Sequence, residues 1–429
     1  MYSYRFNGSI TYQLPSALKD DSTSVAKVPN RAPTSPSCCQ LESVPSSSSA
    51  VSSRQRAGNL LLPDLLGECS SRGIMNIERG LHLRLFNYTE KQLTQTLAEI
   101  ILSRTSFTHL LSVTAAVRDF VNQELFKEAL LIIILRRDDV GMVLPMSPEF
   151  LPTNFASTAK QMLEDQSPDT ENPVVNVNWN EPPYQTFDQL EPEYNLWYFR
   201  EDPEANSHHL YWHVLFSNTS LDRRGEFFFY KHRQMLARYN VERLTHGLPQ
   251  IKALTPDTWD QPIPLGYFPK LGAEIGTPYQ GRPDNLVLAD LTDIGLPLSL
   301  MEDWYREIEM AIKNKKVSAA DGSTINLQAA GGRDEGISVL GDIIESLNSV
   351  NDQLYGSLHN IGHVFIARVT DPSGRHLADT GVMNGPATSM RDPVFYRWHQ
   401  FIDDIFSDYK ASLPKYTEAE RQNCEGQAQ

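Results

Sequence analysis

Six of the eleven histidines in the chain fall into a pattern that could hold metal. His209 and His213 are four residues apart, and so are His359 and His363. On an α-helix that spacing puts both rings on one face, about one turn apart, so each H-x-x-x-H pair can aim two ring nitrogens at one ion. His232 shares an apolar stripe with Phe228, Met235, Leu236 and Tyr239, and His399 lies between Phe395 and Ile402, so both point inward. A single buried histidine is ordinarily a hydrogen-bonded core residue. Two such pairs, each followed by one more inward histidine on a later helix, give two sets of three imidazoles, an inventory suited to a pair of copper ions.

The donor type narrows the metal. Imidazole-only sites suit copper, zinc, iron or nickel. Zinc hydrolases usually add a carboxylate and a general base, as in H-E-x-x-H, and neither pair here has an acidic residue between its histidines. Non-haem iron also takes a carboxylate, and blue copper takes a cysteine. Six neutral imidazoles in a helical bundle therefore fit a dinuclear copper centre best. Three imidazoles leave each copper open, and two facing Cu(I) ions can each give one electron to O2 and hold it as a bridging peroxide.

The elements that must position these residues read as mainly α. Residues 1–58 read as disordered, with a serine-dense stretch over 42–53 and no apolar period. Arg54 and Arg56 near its end are candidate sites of activating proteolysis. Residues 59–140 read as helical, with Thr89-x-x-Gln92 resembling a capping box before a helix to about 104, then helices over about 106–121 and 123–137. A Pro-rich connector over 141–187 completes an N-terminal helical domain, 59–187. The second domain, 188–417, carries helices near 205–216, 224–245, 299–314, 337–349, 350–367 and 394–411, with loop over 246–298. Residues 418–429 read as a disordered tail.

Composition removes several function classes. The net charge of −15 argues against nucleic acid and anionic membranes as partners. No apolar stretch reaches the roughly 18 residues of a membrane span. The N-terminus shows no apolar core of a signal peptide. Cys38, Cys39, Cys69 and Cys424 lie far from the histidines and form neither a disulfide framework nor a zinc pattern. Asn7, Asn87 and Asn218 sit in glycosylation sequons, a short pattern that chance also produces.

Several stretches together resemble the arthropod hemocyanin and prophenoloxidase superfamily, the type 3 copper proteins. They are Asp222–Leu244, Tyr355-Gly-Ser-Leu-His-Asn-Ile-Gly-His-Val364, Gly381-Val-Met383 and Met390-Arg-Asp-Pro-Val-Phe-Tyr-Arg-Trp-His399. The resemblance runs from about 78 to 417 and is closest in character to prophenoloxidase. It implies that copper A takes His209, His213 and His232, and that copper B takes His359, His363 and His399. His208 is then the spare histidine of its cluster. The resemblance also implies that Phe86, in Arg79-Gly-Leu-His-Leu-Arg-Leu-Phe86, leans over the copper pair as a gate or placeholder; plain interdomain packing is the competing reading. The C-terminal β-sandwich of the family is not expected within this chain. Asn384-Gly-Pro-Ala-Thr-Ser-Met390 lacks an acidic residue that relatives often carry near copper.

Two functions follow from the resemblance. One is a phenoloxidase, a tyrosinase or catechol oxidase that turns mono- or o-diphenols into quinones with O2, as in melanisation. An activating protease would then be a partner, and the absence of a visible signal peptide favours this reading. The other is a hemocyanin-like oxygen carrier, which the missing acidic residue favours. Both imply an extracellular, hemolymph protein, the enzyme being stored in the cytoplasm before release, and both allow a homo- or hetero-oligomer.

Overall fold

The computed structural model describes residues 56–57, 60–81, 83–84, 86–104, 106–137, 192–216, 223–269, 271, 279–328, 335–347, 349–376 and 380–415, all within one compact unit, Val51–Gln429. The expectations for Arg54, the 141–187 connector, the 418–429 tail, Cys38, Cys39, Cys424, Asn7 and Asn218 lie outside these residues. At the end of the stretch expected to be disordered, β1 (Arg56–Ala57) pairs antiparallel with β2 (Leu60–Leu61).

Four helices follow: α1 (Leu62–Ser71), α2 (Tyr88–Leu102), α3 (Phe107–Val117) and α4 (Gln123–Arg136). The cap of α2 is Asn87, not the expected Thr89. The Asn87 side-chain oxygen accepts from the backbone N–H groups of Thr89 (3.0 Å) and Glu90 (3.3 Å), so the helix starts two residues earlier. Ser106 and Asn122 cap α3 and α4 in the same way. The apolar faces of these helices, among them Leu97, Ile101, Val113, Leu125 and Ile132, form one buried cluster that also encloses Cys69. Each large apolar side chain buried there contributes about 1.5–3 kcal/mol.

After the connector come α5 (Pro203–Leu215), α6 (Arg224–Thr245), α7 (Leu298–Asn314), a hairpin of β3 (Lys316–Ser318) and β4 (Thr324–Asn326), α8 (Glu335–Glu345), α9 (Asp352–Tyr355), α10 (Leu358–Ala367) and α11 (Val394–Ser412). Asp202 caps α5, and Pro203 opens it. The sequence reads 350–367 as one helix, but Gly356 divides it. Its φ of +59° is outside the helical region, and the Trp304 ring fills the space a Cβ would need. The hairpin turns at Asp321-Gly322, an Asp-Gly signal that the sequence reading passed over. The expected loop over 246–298 holds isolated antiparallel bridges, such as Ile263 with Leu286 and Tyr267 with Arg282.

A second apolar cluster fills the space among α6, α7, α8, α10 and α11. The stripe expected on α11, Val394 to Tyr409, is buried within it. Helix α5 serves both clusters, with Leu210 and Val214 in the first and Trp212 in the second. It therefore joins the N-terminal helices to the histidine-bearing helices. Buried ion pairs fix the entry to α11. Asp392 is held by Arg282 (2.6 and 2.9 Å), and Arg391 pairs with Glu201 (3.0 Å). Among the described residues, no helix is long and apolar enough to cross a membrane.

Candidate metal centre

The six histidines come from four helices: His209 and His213 from α5, His232 from α6, His359 and His363 from α10, and His399 from α11. All six are buried and converge. Potential ligand atoms of His209, His213 and His232 lie within 4.8 Å of one another, as do those of His232, His359 and His399. The His363 ring lies 4.8 Å from that of His359 and 5.1 Å from that of His399, centre to centre. His232 stands between the two sets, stacked on His399 at 4.7 Å. His208 faces away, its Nε2 3.4 Å from Lys231 Nζ.

Backbone carbonyls fix the ring orientation. Nδ1 lies 2.7 Å from Pro386 O in His209, and 2.8 Å from Phe228 O, Met383 O and Phe395 O in His232, His363 and His399. In His359 it lies 2.9 Å from Asn360 Oδ1. An amide oxygen only accepts, so Nδ1 carries the proton and donates, leaving the lone pair on Nε2. Those Nε2 atoms face one another: His209 and His213 at 3.0 Å, His359 and His399 at 3.1 Å. The buried Nε2 atoms of His232 and His363 have no partner among the described residues. Lone pairs in contact and orphaned buried nitrogens are both satisfied by a cation that accepts them, so the residues present fit a metal.

Electrostatics hold the rings neutral. Burial pushes His363 down to about 3 and His232 down to about 4. Burial, and then repulsion among the rings, holds His209, His213, His359 and His399 well below the ordinary histidine range. Neutral imidazole is the ligating form. Phe228, Phe395 and Trp212 wall the rings, with Phe395 3.9 Å from His399 and Phe228 4.4 Å from His232.

Phe86 reaches the centre from the N-terminal side and is 3% exposed. Its ring stacks on His363 at 3.9 Å and meets His213 and His359 edge-on at 5.5 and 5.7 Å. Of the two arginines singled out as protease targets, Arg56 is the one described, and its backbone pairs with Leu61.

Residues 118–406 match the family described as hemocyanin, copper containing domain. The chain belongs to that family. Its cofactor is a pair of copper ions, with O2 as ligand. A hemocyanin from Scutigera coleoptrata is 38% identical over 75% of this chain and 49% of its own length. Phenoloxidase 3 of Drosophila erecta is 35% identical over 83% of this chain and 53% of its own. The crystal structure of a crustacean hemolymph-type prophenoloxidase superposes with a TM-score of 0.77, at 32% identity, over 84% of this chain and 57% of that one. The chain thus spans about half the length of the curated relatives it matches.

The sequence did not single out the charges behind the copper-domain histidines. Glu345, at the end of α8, lies 3.7 Å from His213 Nδ1 and 3.9 Å from Lys91 Nζ, and its other oxygen pairs with Arg224. Arg224 also holds Asp342 at 2.6 Å and donates to Phe216 O. Burial alone would raise the Glu345 carboxyl, but Arg224 and Lys91 bring it below its ordinary range, so it stays ionised. The signal was an acid closing the helix directly after Ile343-Ile344.

Proposed function

We propose that this chain is a phenoloxidase-type oxidoreductase that uses its copper pair and O2 to oxidise mono- or o-diphenols to quinones. The observation that carries this reading is the Phe86 ring, which stacks on His363 at 3.9 Å and so marks a place for an aromatic ring beside the metal-binding nitrogens. An oxygen carrier needs room for O2 alone, whereas an oxidase needs room for an aromatic ring beside the metal. Two electrons and two protons leave an o-diphenol as it becomes the quinone, and two such oxidations reduce one O2 to two waters. The copper pair, when bound, supplies the electron path between phenol and O2.

The protein supplies the rest. In this reading His209, His213 and His232 hold one copper, and His359, His363 and His399 hold the other. The carbonyl contacts of Nδ1 keep each Nε2 aimed inward, and Glu345 orients His213. The aromatic wall excludes water. Phe86 occupies the place on His363 that a substrate ring would take, so it acts as the gate. Cleavage after Arg54 or Arg56, beside the short β1–β2 pairing, would loosen the segment that precedes it. Extracellular, hemolymph residence and assembly into oligomers belong to the same proposal.

A carrier reading has its own support. Phe86 lies flat on His363, and the turn from Asn384 to Ser389 offers no carboxylate to take a phenolic proton. The test is copper-loaded full chain under O2 with an o-diphenol, before and after limited trypsin. Quinone formation after cleavage supports the oxidase. Reversible oxygen binding with no turnover in either sample supports the carrier.

A further inference from the structure

One turn serves both sets of histidines. His363 Nδ1 donates to Met383 O at 2.8 Å, and His209 Nδ1 donates to Pro386 O at 2.7 Å. The two histidines belong to different sets of three and lie on different helices, α10 and α5. Their acceptors are nevertheless only three residues apart in the chain. The turn is buried throughout except at Gly385.

Each end of the turn is anchored to a helix that it serves. The Gly381 N–H donates at 2.8 Å to the carbonyl of Ala367, the last residue of α10. Arg391 Nη1 donates to Ala387 O at 2.7 Å and to Oδ1 of Asn206, on α5, at 3.1 Å. Between these anchors Thr388 closes the turn on itself. Its side chain is fully buried, and its hydroxyl donates to Val382 O at 2.7 Å. Its N–H donates to Gly385 O at 3.1 Å. The loop closed in this way, 382–388, contains both acceptor carbonyls. An open loop would let the two carbonyls shift separately, whereas a closed one moves them as a unit. A ligating imidazole whose remote N–H loses its acceptor typically costs 10–100-fold in metal affinity.

We infer that Thr388 is a positioning residue for both coppers. Its hydroxyl holds the Met383 and Pro386 carbonyls in one closed turn and so sets the aim of His363 and His209 together. The inference rests on the proposed ligand sets for the metals, and on the turn alone for the coupling between them.

The test measures Cu(I) affinity of the full chain by competition with a chelator, in His363→Ala and in His209→Ala, each of which leaves one set of three intact. Adding Thr388→Val, which keeps the side-chain shape and removes the hydroxyl, should weaken copper binding by about tenfold in both backgrounds. Thr388→Ser, which restores the hydroxyl, should leave both affinities unchanged. A loss in one background alone, or in neither, overturns the inference. The second readout is 15N NMR of metal-free protein. Wild type should show His209 and His363 both as the Nδ1–H tautomer, and Thr388→Val should let the Nε2–H form appear in both. The Nε2–H form of either histidine in wild type overturns the inference, and that result needs no variant to fold. A His363→Ala chain that still holds two coppers strikes the ligand sets, whereas a loss confined to one background strikes the turn.

Discussion

Glu128 and the six histidines are buried titratable groups with opposite consequences for stability. The Glu128 carboxyl is raised from 4.5 to about 8, chiefly by burial. The folded state keeps a proton that the unfolded chain releases. Its contribution is therefore complete below pH 4.5 and is lost as pH rises through 8, which at pH 7 costs up to about 3 kcal/mol. Glu128→Gln should raise the melting temperature at pH 7.5 and change it little at pH 4.5. The opposite order in thermal melts would refute that assignment. The histidines shift downward. In metal-free protein the unfolded chain binds protons first as pH falls below 6.5, so stability is highest above that value. It drops toward pH 4, where His232 itself titrates, by roughly 1.4 kcal/mol per pH unit for each histidine involved. Chelated protein should accordingly unfold in mild acid, with its melting point falling between pH 7 and pH 5. His232→Ala and His363→Ala remove the two orphaned Nε2 donors, and each should lower bound copper from two per chain to one by elemental analysis. Two coppers retained in either variant would count against the proposed ligand sets.

At the scale of elements, close packing sets the distance between ligand-bearing helices. A Cβ on Gly362 would come within 1.9 Å of the Trp398 ring, next to His399 in sequence. Gly362→Ala should push α10 and α11 apart, destabilise the protein by about 1–3 kcal/mol and weaken the copper held between them. The readouts are melting temperature and copper content, and an unchanged pair of values would contradict this account. Gly225 and Gly341 play the same part where α6 crosses α8, each within 2.2 Å of a backbone atom of the other helix if a Cβ is added. Much of this level was legible in the sequence. The stripes of α6 and α11 and the two H-x-x-x-H pairs carry the 3.6-residue period, so the helices and the inward histidines followed from spacing alone. The break at Gly356 did not, because it depends on the Trp304 ring from a distant helix. Glu345 and Glu128 also escaped notice. Each shares its helix with at least one other acid, so the sequence does not mark it, and only the tertiary structure shows what faces it.

Across the molecule, one buried charge network joins the N-terminal helices to the metal centre. Lys91 on α2 meets Glu345 on α8, which meets Arg224 on α6 and lies beside His213 on α5. Helix α2 begins two residues after Phe86, so the same network docks the segment that carries Phe86. Removing one member leaves the others buried and unbalanced. Glu345→Ala should cost about 3–5 kcal/mol in chemical denaturation, far more than an exposed ion pair would. A loss under about 1 kcal/mol would mean that the network does not bind the layers together. The central claim is that Phe86 gates a copper pair able to oxidise phenols. It is tested most directly by quinone formation under O2 in copper-loaded wild type and Phe86→Ala, without protease, with copper counted on the same samples. The account predicts two coppers per chain in both and a rate higher by about tenfold or more in Phe86→Ala. Two coppers in both with no quinone from either would contradict it.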